Sequence, residues 1–192
     1  MVTSAQIFTE AEYLALEAAG DTKHEFVNGT IVSMAGARPV HNALAANLTM
    51  VVGALLRGGR CIALTSDQRV HVPATGMYAY PDLTVACGER EYRGDNPPSL
   101  INPTILFEVT SKSTEDYDRG TKFLHYQGIA SLREYVVVSH RERRIEHHRR
   151  LDSGQWLSTI HSADDARVEL PALGGSFLLA DVYERVGLNE GE

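Results

Sequence analysis

The chain has 192 residues, a mass of 21.1 kDa and a formal net charge of −7, with 43% hydrophobic residues. This length predicts a single domain over residues 1–192, with a core at about 9–160 and a C-terminal extension at 161–192. The negative charge argues against a protein that coats nucleic acid, because non-specific DNA binding depends on cationic contacts with phosphate. It does not exclude an enzyme that acts on nucleic acid through bound metal ions.

The two cysteines and the apolar segments bear on the cellular compartment. Cys61 and Cys87 lie in apolar surroundings, so we expect buried small hydrophobic side chains rather than reactive thiols. Two cysteines form neither a disulfide framework nor a four-thiolate zinc site. The N-terminus lacks the basic and apolar regions of a signal peptide, and the apolar stretch 43–56 is too short to span a bilayer. We therefore expect a cytoplasmic protein with no membrane partner.

The first segments predict a helix followed by a hairpin. Thr9 and Glu12 have the spacing of a capping box, which predicts a short helix that ends near Ala19. Asn28 and Gly29 separate two apolar runs and suit a type I′ hairpin turn.

The next part of the chain predicts a second helix, two strands and a long loop. Apolar residues at spacings of three and four predict an amphipathic helix over 43–56. Residues 61–72 are strand-like, and 81–86 predict another short strand. Residues 88–103 are polar and show little periodicity, which predicts a loop, and loops of this length inside a domain are often functional.

The second half predicts two central strands and an edge hairpin. The runs 105–109 and 134–138 are almost wholly apolar, as central strands are. A helix is predicted between them, over about 115–127. Residues 143–150 and 156–160 predict a polar hairpin. The whole order predicts a mixed α/β or α+β fold built on one sheet.

The sequence contains no phosphate-binding loop, nucleophile elbow or zinc motif, but two of its carboxylates are unusually placed. Glu108 ends an apolar strand and should be largely desolvated, which is unfavourable unless the carboxylate is paired or holds a metal. Asp82 opens the preceding strand. Each has an ordinary structural interpretation, a salt bridge for Glu108 and a strand start for Asp82. Together on neighbouring strands they could hold a hard divalent cation, which prefers oxygen ligands.

A nearby lysine would complete a hydrolytic site, and two lysines compete for this role. Lys112 follows the Glu108 strand. Lys122 lies in the next helix, where Asp118, Lys122 and Tyr126 share one face at spacings of four. The alternative interpretation of that face is an ordinary surface ion pair with a neighbouring tyrosine.

These residues, in this order, resemble the Uma-two family of restriction endonucleases, a branch of the PD-(D/E)XK nuclease superfamily. The resemblance runs from about Glu12 to Arg150 and rests on six segments of the chain. These are the hairpin around Glu25, the helix start at His41, Pro81-Asp82, the strand end at Glu108, the helix from Asp118 to Tyr126, and the strand from Glu134.

The resemblance implies a restriction-endonuclease-like core, in which a mixed central sheet is flanked by helices and preceded by an N-terminal helix and hairpin. It implies that Asp82 and Glu108 hold Mg²⁺ or Mn²⁺ together with the carbonyl of Val109, and that Glu25 adds a third acid. The superfamily places its lysine two residues after the acid, where this chain has Thr110. The resemblance therefore favours Lys122, from the following helix, over Lys112.

Other residues could contact substrate or support the site. His41, Gln68, Lys112 and Tyr126 are candidates, although helix capping or strand-surface positions explain His41 and Gln68 equally well. The basic stretch 141–150 is more typical of a charged edge hairpin than of a DNA contact.

The first functional interpretation is a Mg²⁺- or Mn²⁺-dependent endonuclease that hydrolyses DNA, the implied partner. The alternative is an inactive nuclease-fold protein that binds or scaffolds, which the negative charge and the displaced lysine favour. A homodimer is a further expectation.

Overall fold

The computed structural model describes residues 6–34 and 38–188. The helices are α1 (Glu10–Ala19), α2 (Pro39–Leu55), α3 (Glu115–Tyr117), α4 (Phe123–Tyr126) and α5 (Leu179–Val182), and a π-helical turn (Asp118–Lys122) joins α3 to α4. The strands are β1 (His24–Val27), β2 (Thr30–Ser33), β3 (Cys61–Thr65), β4 (Val70–Val72), β5 (Met77–Ala79), β6 (Leu83–Cys87), β7 (Tyr92–Arg93), β8 (Ser99–Leu100), β9 (Ile105–Val109), β10 (Glu134–Val138), β11 (Ile145–Arg150), β12 (Trp156–His161), β13 (Arg167–Leu170) and β14 (Gly175–Leu178).

The N-terminal predictions hold. The Thr9 side chain accepts a hydrogen bond from the Glu12 amide while Glu12 reaches back to the Thr9 amide, so α1 begins with a complete capping box. Asn28 and Gly29 have φ values of 50° and 79°, the left-handed conformations that a type I′ turn requires. Helix α2 begins at Pro39, earlier than its apolar periodicity predicts, because proline is well suited to the first turn of a helix.

The prediction of one sheet is wrong, because the strands of residues 6–34 and 38–188 form two six-stranded sheets and a small hairpin. The central sheet has the order β12-β11-β10-β9-β6-β3, and the second sheet has the order β2-β1-β5-β4-β8-β7. The segment predicted as one strand over 61–72 turns at 66–69 and contributes β3 and β4 to different sheets. The predicted loop 88–103 contains β7 and β8, whose two residues each are too short to show a period.

The two predicted central strands are confirmed. Strand β9 pairs in parallel with β10 and antiparallel with β6, so it lies inside a mixed sheet. Side chains alternate along β9, which places Ile105 and Phe107 in one apolar cluster and Leu106 in another. Glu108 therefore points to the same side of the sheet as Leu106.

Each face of the central sheet has its own cover. On the Phe107 face, α2, α5 and the β13–β14 hairpin pack through Leu48, Val168 and Val182. On the Leu106 face lie the helical segment 115–126 and the second sheet. The chain is thus an α+β protein whose mixed central sheet is flanked by helices, as predicted.

The two cysteines do not remain as separate hydrophobic side chains. Cys61 and Cys87 lie directly opposite each other in the β3–β6 pair and form a disulfide bond. The sequence-based prediction is wrong because the contact joins strands 26 residues apart, and only strand pairing reveals it. One of the observations behind the expected cytoplasmic location is thereby removed. No helix in the described part of the chain is long and apolar enough to cross a membrane.

The basic stretch 141–150 forms part of the predicted hairpin. Strand β12 lies at the edge of the central sheet and β11 is the next strand inward. Arg141, Arg143 and Arg144 form ion pairs with carboxylates of this chain, so much of the positive charge is neutralised locally.

His148, in β11, provides a test of pH-dependent stability. Its ring stacks on Phe123 with centroids 4.3 Å apart, and its Nδ1 lies 2.7 Å from the Ser158 hydroxyl oxygen. Burial lowers the pKa of His148 below the ordinary value of 6.5, so the unfolded chain binds a proton at a pH where the folded chain does not. The stabilisation that comes from neutral His148 is complete above about pH 6.5. As the pH falls below this value, the free energy of unfolding decreases by up to about 1.4 kcal/mol per pH unit for one proton.

We expect wild type to lose more unfolding free energy than His148→Gln between about pH 7.5 and pH 5, measured by urea denaturation. His125→Gln is the control, because the more exposed His125 should contribute less. Equal pH dependence in wild type and His148→Gln would contradict this assignment.

Candidate active site

Glu108 forms the centre of a buried cluster of charged side chains. It is 3% exposed because the β9 alternation turns it away from solvent and toward the helical segment that follows. Its Oε1 atom accepts hydrogen bonds from the Lys122 ammonium and the Tyr126 hydroxyl, each at 3.0 Å. The desolvation predicted from the sequence is therefore present, and the carboxylate is paired.

The Lys122 ammonium lies among three carboxylates. Besides Glu108, it lies 2.9 Å from Glu25 Oε1 and 3.3 Å from Asp118 Oδ1. Glu25 comes from β1 of the second sheet, so Lys122 joins the two sheets at this point. The interpretation of the Asp118–Tyr126 face as a surface ion pair is wrong, because all three of its polar residues are buried.

The electrostatics of the cluster are those of a site with surplus negative charge. Burial raises the pKa of Glu108 well above its usual range, Lys122 opposes this, and the carboxylates of Asp118, Asp82 and Glu25 reinforce it. Burial alone would lower the pKa of Lys122, but the charges of Glu108 and Glu25 outweigh it and hold that pKa well above its usual value. A simple structural salt bridge needs one carboxylate, whereas this ammonium faces three, an arrangement typical of functional sites.

Asp82 and His41 form the more open side of the site. The Asp82 Oδ2 atom accepts a hydrogen bond from the Val109 amide at 2.7 Å, which ties the start of β6 to the end of β9. His41 Nε2 lies 3.3 Å from the same oxygen, so the first turn of α2 contributes to the site. Their side chains are 13% and 17% exposed, against 6% for Lys122, so the approach from solvent is on their side.

Two predicted candidates lie apart from this cluster. Lys112 is exposed beyond the end of β9. Gln68 lies in the turn between β3 and β4, not in a strand, and its amide donates to the carbonyls of Arg69 and Pro98. The prediction placed Gln68 near the acids because it treated 61–72 as one strand.

Two residues near Lys122 were not among the predicted site residues. Asp118 contacts Lys122 one helical turn away, and its spacing of four was the available signal. The Tyr117 ring lies under the Lys122 ammonium, with 5.5 Å from Nζ to the ring centroid. The Tyr117 hydroxyl is buried, and no sequence pattern indicates its position.

The donor atoms suit a divalent cation held by few protein ligands. Within residues 6–34 and 38–188, no group of three or more His, Cys, Asp or Glu side chains is arranged to hold a metal ion. Glu25 contacts Lys122 instead of completing such a group. Glu108 and Asp82 make their contacts with Lys122, Tyr126, Val109 and His41 through Oε1 and Oδ2, which leaves Oε2 and Oδ1 as the ligand atoms. Two carboxylates with water ligands fit the usual coordination of Mg²⁺.

The fold is similar to that of a protein of known structure. A solved structure from Anabaena variabilis, "a putative nuclease belonging to DUF820", matches with a TM-score of 0.75 and 17% identity, over 92% of this chain and 97% of that one. At this identity the likeness shows the fold alone, and that fold is restriction-endonuclease-like, as predicted.

The family is shown by sequence. Residues 10–180 match the family model Uma2, described as "Putative restriction endonuclease", and the chain therefore belongs to the Uma2 family. Two relatives from Synechocystis sp. are also similar. "Uncharacterized protein sll1609" is 31% identical, over 88% of this chain and 96% of its own length. "Uncharacterized protein slr1290" is 34% identical, over 90% of this chain and 89% of its own length. The predicted resemblance is confirmed, and the chain is a member of a nuclease family.

Proposed function

We propose that the protein is a Mg²⁺- or Mn²⁺-dependent endonuclease that hydrolyses phosphodiester bonds of DNA. The observation that carries this proposal is the position of Lys122, whose ammonium lies 3.0 Å from Glu108 although the residues are 14 positions apart. A helix thus supplies a buried amine next to the strand-end acid, in place of the absent lysine two residues after it. A homodimer is part of the proposal, and sedimentation equilibrium checks it.

Asp82, Glu108 and the Val109 carbonyl would hold the divalent ion. When bound, such an ion polarises the phosphate and lowers the pKa of the attacking water. The Val109 amide fixes Asp82 by its hydrogen bond, and His41 contacts the same carboxylate, so both orient a ligand. Glu25 holds Lys122 in place from the opposite sheet.

Lys122 would stabilise negative charge in this mechanism. Its raised pKa keeps the amine protonated at neutral pH, so it is suited to donate hydrogen bonds and not to accept a proton. Its three carboxylate partners restrict its motion, which favours a preorganised charge over a mobile one.

A second candidate function is a nuclease-fold protein without turnover that acts as a binding or scaffold module. One observation favours it: Lys122 already contacts both Glu25 and Glu108, and its side chain is 6% exposed. An internal ion cluster of this kind would stabilise the fold without any ligand.

Cleavage of supercoiled plasmid distinguishes the two functions. We expect purified protein with Mn²⁺ to convert supercoiled plasmid to open-circular or linear DNA, and we expect EDTA to abolish the reaction because the carboxylates then lack their cation. Asp82→Ala, purified in the same way, controls for contaminating nuclease. Equal rates for wild type and Asp82→Ala, or no cleavage with any divalent ion, would favour the scaffold.

A further inference from the structure

A second cleft lies at the end of the central sheet opposite to the acidic cluster. It has a volume of about 510 Å³ and is lined by residues at the starts of β9 and β10 and at the ends of β6 and β11. Glu108, by contrast, lies near the carboxyl end of β9. The cleft is therefore separate from the proposed active site, and its size is typical of small-molecule sites, at about 300–1,000 Å³.

The cleft concentrates positive charge in a chain of net charge −7. Four arginines line it: Arg60, Arg133, Arg149 and Arg150. In the part of the chain that the structure describes, Arg60, Arg133 and Arg149 form no ion pair with a carboxylate. Arginines elsewhere commonly do, as Arg119 does with Glu146 at 2.8 Å.

Arg150 is fixed in position by the surrounding chain. Its guanidinium donates to the carbonyls of Gln127 and Ala130 and lies over the Trp156 ring, 4.8 Å from the centroid. Burial lowers the pKa of Arg150, and the positive charge of Arg133 lowers it further. The guanidinium groups of Arg133 and Arg150 thus repel each other, and an anion bound beside them would relieve that repulsion.

The acidic residues of the cleft do not neutralise this charge. Glu134 is fully buried, and its two oxygens are used by the Ala172 amide at 2.7 Å and by His147 at 2.6 Å. Asp152 is exposed and forms no ion pair among the described residues. Among the residues that line the cleft, four arginines therefore outnumber the one exposed carboxylate.

We propose that this arginine cleft binds a phosphate-bearing anion. Guanidinium groups bind phosphate oxygens through paired hydrogen bonds. Several arginines together therefore suit a multiply charged phosphate better than they suit a singly charged carboxylate. The phosphate could belong to a free phosphoryl compound or to the backbone of a nucleic acid. The proposal does not depend on nuclease activity, because the cleft shares no residue with the acidic cluster.

Binding measured in EDTA at fixed ionic strength tests the cleft without turnover. The probes are inorganic pyrophosphate, by calorimetric titration, and a fluorescein-labelled DNA duplex, by anisotropy. We expect Arg133→Gln/Arg149→Gln to weaken the binding of at least one probe tenfold or more, and Arg133→Gln alone to give a smaller loss. Arg167→Gln, which removes an exposed arginine outside the cleft, should change the Kd of neither probe by more than about twofold.

The two probes distinguish the sources of the phosphate. A cleft-dependent loss of pyrophosphate binding identifies a free phosphoryl compound, and a loss confined to the duplex identifies nucleic-acid backbone. The proposal is overturned if neither probe binds wild type, if the double variant binds both as tightly as wild type, or if Arg167→Gln causes an equal loss. Arg133 is exposed, so Arg133→Gln provides a folded reference if the double variant does not fold.

Discussion

Replacement of Lys122 by methionine should slow plasmid cleavage about 10²–10³-fold, the usual effect of removing one charged or hydrogen-bonding group that stabilises a transition state. Methionine keeps most of the side-chain volume and removes the charge. Because the positive charge of Lys122, 3.0 Å from Glu108, repels a cation bound to the same carboxylate, the variant should bind Mn²⁺ at least as tightly as wild type. Single-turnover cleavage and calorimetric titration of Mn²⁺ measure the two quantities separately.

Lys112→Met is the matched control for this prediction. Lys112 is exposed beyond β9, so its removal should leave the cleavage rate close to that of wild type. Lys122→Met leaves three buried carboxylates without their cation, so its melting temperature must be measured as well. Lys122→Arg keeps a positive charge and provides a folded reference if Lys122→Met unfolds. A larger loss in Lys112→Met than in Lys122→Met would transfer the role to Lys112.

The sequence predicts those parts of the fold that depend on local patterns. The capping box at Thr9, the Asn28-Gly29 turn and the apolar run of β9 each depend on residues close together in the chain. The burial of Glu108 follows from the same logic, because a carboxylate at the end of an apolar central strand shares that strand's environment.

Features that depend on pairing between distant segments were not predicted. Apart from the predicted β1–β2 hairpin, the second sheet is built from strands of two or three residues, which are too short to show alternation. The Cys61–Cys87 bond and the position of Gln68 both depend on how β3 pairs and where it ends. A one-dimensional pattern contains no information on that register.

The site depends both on local sequence patterns and on contacts between distant segments. The spacing of Asp118, Lys122 and Tyr126 indicates one shared face, but not which acid that face contacts. The contact between Lys122 and Glu25 requires the second sheet to pack beside the helix, which tertiary structure alone supplies. Proteins with surplus buried charge lose stability to desolvation, so a cluster of this kind is expected where ligand binding or catalysis requires it.

The second large effect concerns the divalent ion. Asp82→Asn and Glu108→Gln should each weaken Mn²⁺ binding by more than about tenfold, since even outer-shell partners of a metal site commonly contribute about 10- to 100-fold. Both should also abolish plasmid cleavage. The amides preserve the hydrogen bonds that the carboxylates accept from Val109, Lys122 and Tyr126, so the change is chiefly one of charge. Calorimetric titration of Mn²⁺ into each variant measures the effect.

Asp118→Asn distinguishes the loss of a metal ligand from the loss of one negative charge in the cluster. Asp118 is a buried carboxylate, but its ion-pair partner is Lys122 and it is not a proposed metal ligand. The Mn²⁺ affinity of Asp118→Asn should change little, and an equal loss in all three variants would mean that the cluster attracts cations without a defined site.

Without metal, Glu108→Gln should melt no lower than wild type, because it relieves repulsion among buried carboxylates while Glu25 and Asp118 still neutralise Lys122. A large loss of thermal stability in Glu108→Gln, with unchanged Mn²⁺ affinity, would instead identify the Glu108–Lys122 contact as a structural salt bridge.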